Sequence, residues 1–213
     1  MKKLLAIILT IIVSIPLHAI TPSQASGQLP DLKWAAKTGA KKIPHRKKVF
    51  NVSSFGARND GTTLNTKAIQ AAIDACALAK GGIVTFDTGS YMTGSLFIKK
   101  GVTFNIGKNT TILGSQDISD YPEIDTRIAG VEMKWPAALI NVLDQENAAL
   151  TGEGKIFASG KVFWNKYWEM RRDYEKKGLR WIVDYDCKRP RTLLISRSSN
   201  VTVKGITLQQ AGF

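Results

Sequence analysis

Asn147-Ala148-Ala149-Leu150-Thr151-Gly152-Glu153-Gly154-Lys155-Ile156-Phe157 is echoed by Asn200-Val201-Thr202-Val203-Lys204-Gly205-Ile206-Thr207-Leu208. Both runs share one frame: Asn, an alternating β segment, a glycine turn, a second β segment. Each is preceded by an apolar strand, Ala138–Val142 in one case and Thr192–Ile195 in the other. Glycine permits backbone angles that a Cβ forbids, so the chain can turn between two short strands without strain. One such unit cannot bury its apolar face alone. Stacked copies make a continuous core, which predicts a parallel β-solenoid with about 20–30 residues per coil.

The same pattern extends towards the N-terminus. Ile83–Phe86 reads as a strand, with a turn at Asp87–Ser90. Tyr91–Ile98 is split at Gly94, and Val102, Phe104 and Ile106 fall on one face of the next strand. Thr111–Leu113 follows another turn. Before these strands lies one clear helix. Ile69, Ala72, Ile73 and Cys76 recur at i, i+3, i+4 and i+7 and give it a single apolar stripe. Asn65 or Thr66 is expected to cap its start and Gly81-Gly82 to end it. A helix with one face to bury closes the N-terminal end of the solenoid and shields an open edge. Val49–Val52 and the Asp60-Gly61 turn precede it.

The remaining N-terminal residues are not part of this pattern. Lys2 and Lys3, an apolar run from Leu4 to Leu17, and small residues at Ala19, Ser23 and Ala25 read as a signal peptide over 1–25, cleaved after Ala19 or Ala25. A membrane anchor is the competing reading, but the run is shorter than the roughly 18–20 residues a span needs. Residues 26–48 form a basic linker with Pro30, Gly39 and Pro44, and residues 49–213 form the folded part. The expected location is therefore secreted or periplasmic.

Composition narrows the chemistry. The chain has 213 residues, 44% of them hydrophobic, so a packed core is available. Thirty Lys and Arg against 17 Asp and Glu give a net charge of +13, a field that favours an acidic partner. Export argues against nucleic acid and, after leader cleavage, against a membrane, which leaves an acidic polysaccharide. Cys76 and Cys187 either form a disulfide or are two separate buried thiols. The two histidines, His18 and His45, both precede the folded part. A Ser-His-Asp triad, a Cys-His pair or a His-ligated metal is therefore excluded from the folded part of this chain, and no cofactor or metal is expected.

Two insertions interrupt the coils. Ser115–Pro136 contains Asp120-Tyr121-Pro122 and Lys134-Trp135-Pro136, the latter a candidate cleft wall. Lys161–Arg191 holds ten Lys and Arg against five Asp and Glu, so it is the basic, aromatic element of the folded part. Its first half reads as a helix with an Asp173/Lys177 pair at i, i+4. Insertions on a rigid scaffold are where binding groups concentrate. Trp164 and Trp168 either stack on sugar faces or pack the insertion onto the solenoid. Arg180, Lys188, Arg189 and Arg191 either pair with substrate carboxylates or form a solvated basic face. Asp184 and Asp186 are read as neutralising these arginines.

Phe55-Gly56-Ala57 with Asp60-Gly61, Asn65 through Cys76, and Gly81-Gly82 before a strand together resemble the N-terminal motif of the pectate-lyase-like superfamily. Thr151–Ile156 with Phe163-Trp164 is similar to the coil-and-aromatic motif of glycoside hydrolase family 28, the polygalacturonases and rhamnogalacturonan hydrolases. Lys188-Arg189-Pro190-Arg191 and Asn200–Leu208 resemble its following coils. The resemblance implies an all-β, right-handed parallel β-helix with an N-terminal capping helix. It also implies inverting hydrolysis of galacturonic acid linkages in pectin, galacturonan or rhamnogalacturonan by two carboxylates. That family carries its carboxylates in Asn-x-Asp and Asp-Asp motifs, followed by Gly-His-Gly and Arg-x-Lys. Asp117, Asp120, Asp125, Asp184 and Asp186 match none of them. The expectation is an N-terminal part of such an enzyme, inactive alone, with its C-terminal coils and catalytic residues beyond Phe213. A pectate or rhamnogalacturonan lyase and a non-catalytic polysaccharide-binding solenoid are the alternative readings.

Overall fold

Three parallel sheets, two of five strands and one of three, carry the fold of the computed structural model. The structure describes Lys33, Trp34 and residues 38–213. The expected leader over 1–25 lies outside the described residues, as does the linker up to 37 apart from Lys33 and Trp34. Contacts divide the chain into Met1–Thr38 and Gly39–Phe213, and the sheets belong to the second unit.

The first sheet holds β1 (Val49–Asn51), β3 (Gly82–Thr85), β6 (Val102–Ile106), β11 (Glu146–Gly152) and β14 (Ser199–Lys204). The second holds β2 (Asp60–Leu64), β4 (Gly89–Thr93), β7 (Thr110–Gly114), β12 (Lys155–Phe157) and β15 (Thr207–Gln209). The third holds β5 (Leu96–Phe97), β10 (Ile140–Leu143) and β13 (Leu193–Ser196). After the first coil, where a helix over Thr66–Leu78 stands in place of a third-sheet strand, the chain visits them in that order, and all pairings in these sheets are parallel and between coils. The two echoing runs are direct neighbours: Ala148 pairs with Val201 and Leu150 with Val203.

Alternation along each strand turns every second side chain inward, and the register stacks those side chains in columns. Val84, Phe104 and Leu150 form one column, Tyr91, Ile112 and Ile156 a second, and Leu96 and Ile140 a third. All of these are fully buried. The outermost members of the first two, Val203 and Leu208, are exposed at the edge formed by β13, β14 and β15. The turn glycines are needed where coils touch. A Cβ on Gly152, at φ 125°, would lie 1.9 Å from the Ile106 carbonyl oxygen, and one on Gly205 would lie 2.3 Å from that of Gly152.

Helix α1 (Thr66–Leu78) buries Ile69, Ala72, Ile73 and Cys76 against the first coils, as its stripe predicts. Its ends differ from expectation. Asn65 occupies the N-cap position without capping. Its side-chain oxygen accepts from the Arg58 N–H at 2.7 Å, and its amide donates to the carbonyls of Arg58 and Thr63 at 2.9 and 2.7 Å. The Thr66 hydroxyl accepts from the Gly94 N–H at 2.7 Å instead of capping. At the other end Lys80, at φ 65°, takes the left-handed position, and the Gly81 N–H donates to the Cys76 carbonyl. Gly81 is reserved for packing, since a Cβ there would sit 2.5 Å from the Gly101 carbonyl oxygen. Asp60-Gly61 is not a free turn but the start of β2. The Asp60 carboxylate accepts the N–H groups of Thr62 and Thr63 at 2.9 and 2.8 Å. Cys76 and Cys187 are free, buried thiols in separate apolar clusters.

Candidate functional site

Both insertions leave the solenoid at the same corner, between the second and third sheets. The first folds into an antiparallel hairpin of β8 (Glu123–Ile128) and β9 (Val131–Pro136). The second forms α2 (Lys161–Lys176) and the short α3 (Val183–Asp186). Successive coils place them side by side. Contact residues are Trp135, whose indole N–H donates to the Arg189 carbonyl at 2.8 Å, Lys188, which pairs with Glu123, and Arg191, whose Nη2 donates to the Thr126 hydroxyl at 3.1 Å. Trp135 is fully buried, so it is a fastening residue of the corner and not an open cleft wall; Lys134 is exposed and pairs with Asp125 at 3.3 Å. In α2 the expected Asp173/Lys177 pair is replaced by Asp173 and Lys176 at 3.7 Å, because the helix ends at Lys176.

A cleft of about 400 Å³ opens where the insertions meet, lined by Ile128, Ala129, Trp164, Trp181, Asp184, Tyr185, Arg189 and Phe213. Its walls are apolar and aromatic. Arg189 is its one cation, and 2% of that residue is exposed. Three rings surround the guanidinium, with Cζ at 4.1 Å from the Tyr167 centroid, 4.5 Å from Trp164 and 4.7 Å from Phe213. Ring faces are electron-rich and attract the planar cation. Burial pulls the guanidinium below its ordinary pKa, with Asp184 among the weaker opposing influences. The nearest carboxylate oxygen, Asp184 Oδ1, is 3.6 Å from Nη2, beyond a good hydrogen bond. Among the described residues, Nε and Nη1 have no hydrogen-bond partner.

The other expected binding residues are distributed around this point. Trp164 lines the cleft and is fixed by its indole N–H, which donates to the Ala211 carbonyl at 2.9 Å. Trp168 stacks beside Trp164 at 6.3 Å, stands under Arg171, and faces outward. Arg180 lies 4.2 Å over the Trp181 ring and near Glu175. Lys188 borders a neighbouring depression with Asp117, Phe163 and Lys166. Arg191 lines a separate groove that Phe213 also borders, with Thr192, Leu208 and Gln210. The cleft thus gathers Trp164 and Arg189 and leaves Trp168, Arg180, Lys188 and Arg191 outside it. Asp184 faces Arg189, whereas Asp186 accepts from the Tyr174 hydroxyl at 2.8 Å. Trp181 and Tyr185 are cleft residues that the sequence reading did not single out. Their i, i+4 spacing, which puts two rings on one side of a helical turn, is the available signal.

The remaining candidate carboxylates are engaged in local structure. Asp117 accepts the Ser119 N–H, Asp120 the Ser115 hydroxyl, and Asp125 faces Lys134.

Stacked parallel coils and a helix over the first of them define a right-handed parallel β-helix, with a cationic aromatic cleft at one corner. The profile of one family matches residues 49–172, and the chain belongs to that rhamnogalacturonase A/epimerase, pectate lyase-like family. It is 41% identical to the exo-poly-alpha-D-galacturonosidase of Dickeya chrysanthemi over 114 residues, which cover 54% of this chain and 19% of that protein. The family 28 exopolygalacturonase of Yersinia enterocolitica superposes with a TM-score of 0.65 at 26% identity, covering 79% of this chain and 36% of the other. The exopolygalacturonase of Thermotoga maritima shares the fold with a TM-score of 0.69 at 23% identity, over 82% and 44% of the two chains. The chain thus spans about a fifth of the length of the Dickeya relative.

Proposed function

We propose that the protein acts in pectin breakdown as a polygalacturonase-type glycoside hydrolase. Galacturonic acid linkages would be cleaved with inversion by a carboxylic acid and a carboxylate base on opposite faces of the sugar. The carrying observation is the coil corner that presents a buried arginine among aromatic rings, on the β-helix of exopolygalacturonases. Flat rings suit sugar faces and a guanidinium suits a uronate carboxylate. Acid and base roles fall to none of Asp117, Asp120, Asp125, Asp184 and Asp186, which are engaged in turns, side-chain hydrogen bonds and ion pairs. These 213 residues are therefore proposed to hold substrate without cleaving it. Export follows from the leader-like residues 1–25 and would bring the protein to an extracellular acidic polysaccharide.

The test compares the 213-residue chain with the protein expressed together with its adjoining coding sequence, on polygalacturonate. Reducing ends without ultraviolet-absorbing products, from the second preparation only, are expected. Calcium-dependent unsaturated products would make it a lyase, binding without cleavage a polysaccharide-binding solenoid. Turnover by the 213 residues would overturn the placement of the chemistry. N-terminal sequencing of the exported product should begin at Ile20 or Ser26; an intact Met1 would contradict export by leader cleavage.

A further inference from the structure

A buried guanidinium with unused donors is costly, because those N–H groups have given up water and gained nothing. A close bidentate carboxylate offsets this well. Arg189 has none among the described residues. Nε and Nη1 are unpaired among the described residues, and Asp184 stands off at 3.6 Å, itself about one-third exposed at the cleft. The rings of Tyr167, Trp164 and Phe213 hold the cation in place without using its N–H groups. From the other side, the Trp135 indole pins the Arg189 backbone. The cation is thus fixed, dry and incompletely neutralised, beside a cleft of about 400 Å³ with an exposed Trp181 on its rim. A preset donor of this kind gives most to a ligand that brings its own negative charge.

We propose that Arg189 reads the carboxylate of a single uronic acid unit, and that Asp184 is a placeholder counter-ion which the sugar carboxylate displaces. This rests on reading the cleft as one that faces an acidic polysaccharide, and adds the residue that selects an acidic over a neutral sugar. In the empty cleft Asp184 keeps the guanidinium partly neutralised. On binding, the uronate takes the place of Asp184 at Nη2 and accepts from that nitrogen while Asp184 turns to solvent, with Trp181 on the rim beside the sugar. Specificity then comes from the cost of displacing Asp184: a uronate replaces its charge at the guanidinium, whereas a neutral sugar in the same place would leave the cation without a counter-ion.

D-galacturonate and D-galactose differ only at C6 and form the probe pair. Each is titrated into the 213-residue chain, followed by tryptophan fluorescence and calorimetry. Galacturonate is expected to bind at least about tenfold more tightly, the equivalent of one charge-assisted hydrogen bond. Asp184→Asn should tighten galacturonate several-fold and leave galactose unchanged, since only the competitor has gone. Arg189→Gln should erase the gap between the sugars. Should that variant fail to fold by circular dichroism, Asp184→Asn decides alone. Equal affinities, no binding of galacturonate, or a weakening of both sugars by Asp184→Asn would overturn the proposal. The two readings fail separately. A galacturonate preference in a protein that never cleaves polygalacturonate keeps Arg189's role and removes the hydrolase. Hydrolysis without the preference does the reverse.

Discussion

A side-chain amide that is 2% exposed either finds hydrogen-bond partners or costs stability, and Asn65 finds four backbone groups on three neighbouring segments. Its residue type marks a helix start, and the helix does start there. The side chain, however, ties the Arg58 loop to the Thr63 strand end. The two roles differ in magnitude. Losing a cap costs about 1 kcal/mol, whereas stranding several buried polar groups costs about 3 kcal/mol. Asn65→Ala is therefore expected to lower the urea-unfolding free energy of the chain by about 3 kcal/mol; a loss near 1 kcal/mol would return Asn65 to a capping role. Some single residues could be read directly. Gly152 and Gly205 recur at the same place in the echoing runs, and the register sets them against the preceding coil. Arg189 could not be read this way. Its seclusion is made by Trp135, Tyr167 and Phe213, each more than 20 residues away in the chain.

Elements with a period were legible in proportion to the strength of that period. Strand β6 alternates and α1 carries its stripe, so both stand where the sequence puts them. The β8–β9 hairpin was not legible. Its inward set of Ile124, Thr126, Met133 and Trp135 is interleaved with charged residues, and it gains meaning only by packing on the second insertion. Coupling between elements has the same tertiary character at the N-terminal end. Asp87, in the β3–β4 connection, accepts from the Ser53 hydroxyl and from the Asn51 amide at 2.7 Å, joining β1 and the turn after it to the next coil. Those hydrogen bonds, the Ser53 bond foremost, hold the Asp87 carboxyl below its ordinary pKa. A depressed folded value means that the stabilisation is complete above the unfolded pKa, near 3.9, and is lost as pH falls through the folded value. The midpoint of thermal unfolding should fall as pH drops below about 4, and Asp87→Asn should flatten that dependence while lowering the midpoint at neutral pH. An unchanged acid slope in the variant would show that Asp87 does not couple these elements.

At the scale of the whole molecule two electrostatic devices coexist, and salt separates them. The net charge of +13 attracts any polyanion through solvent, over a range set by screening. That range is about 10 Å at 0.1 M salt and about 3 Å at 1 M. Charge excess was legible from composition, and the expectation of an acidic partner rests on it. The cleft was not, because it depends on two insertions leaving the same corner of successive coils, which needs the register of three sheets. Its single cation is buried, and a buried pair is screened far less than an exposed one. Retention of the chain on immobilised polygalacturonate should therefore drop by more than about tenfold between 0.1 and 1 M sodium chloride, as the diffuse field is shortened. The affinity for monomeric galacturonate, read from tryptophan fluorescence, should change by less than about threefold over the same range if Arg189 reads its carboxylate inside the cleft as proposed. If both fall together, the uronate sits among exposed lysines and arginines, and the aromatic corner is a packing feature of the β-helix with no part in recognition.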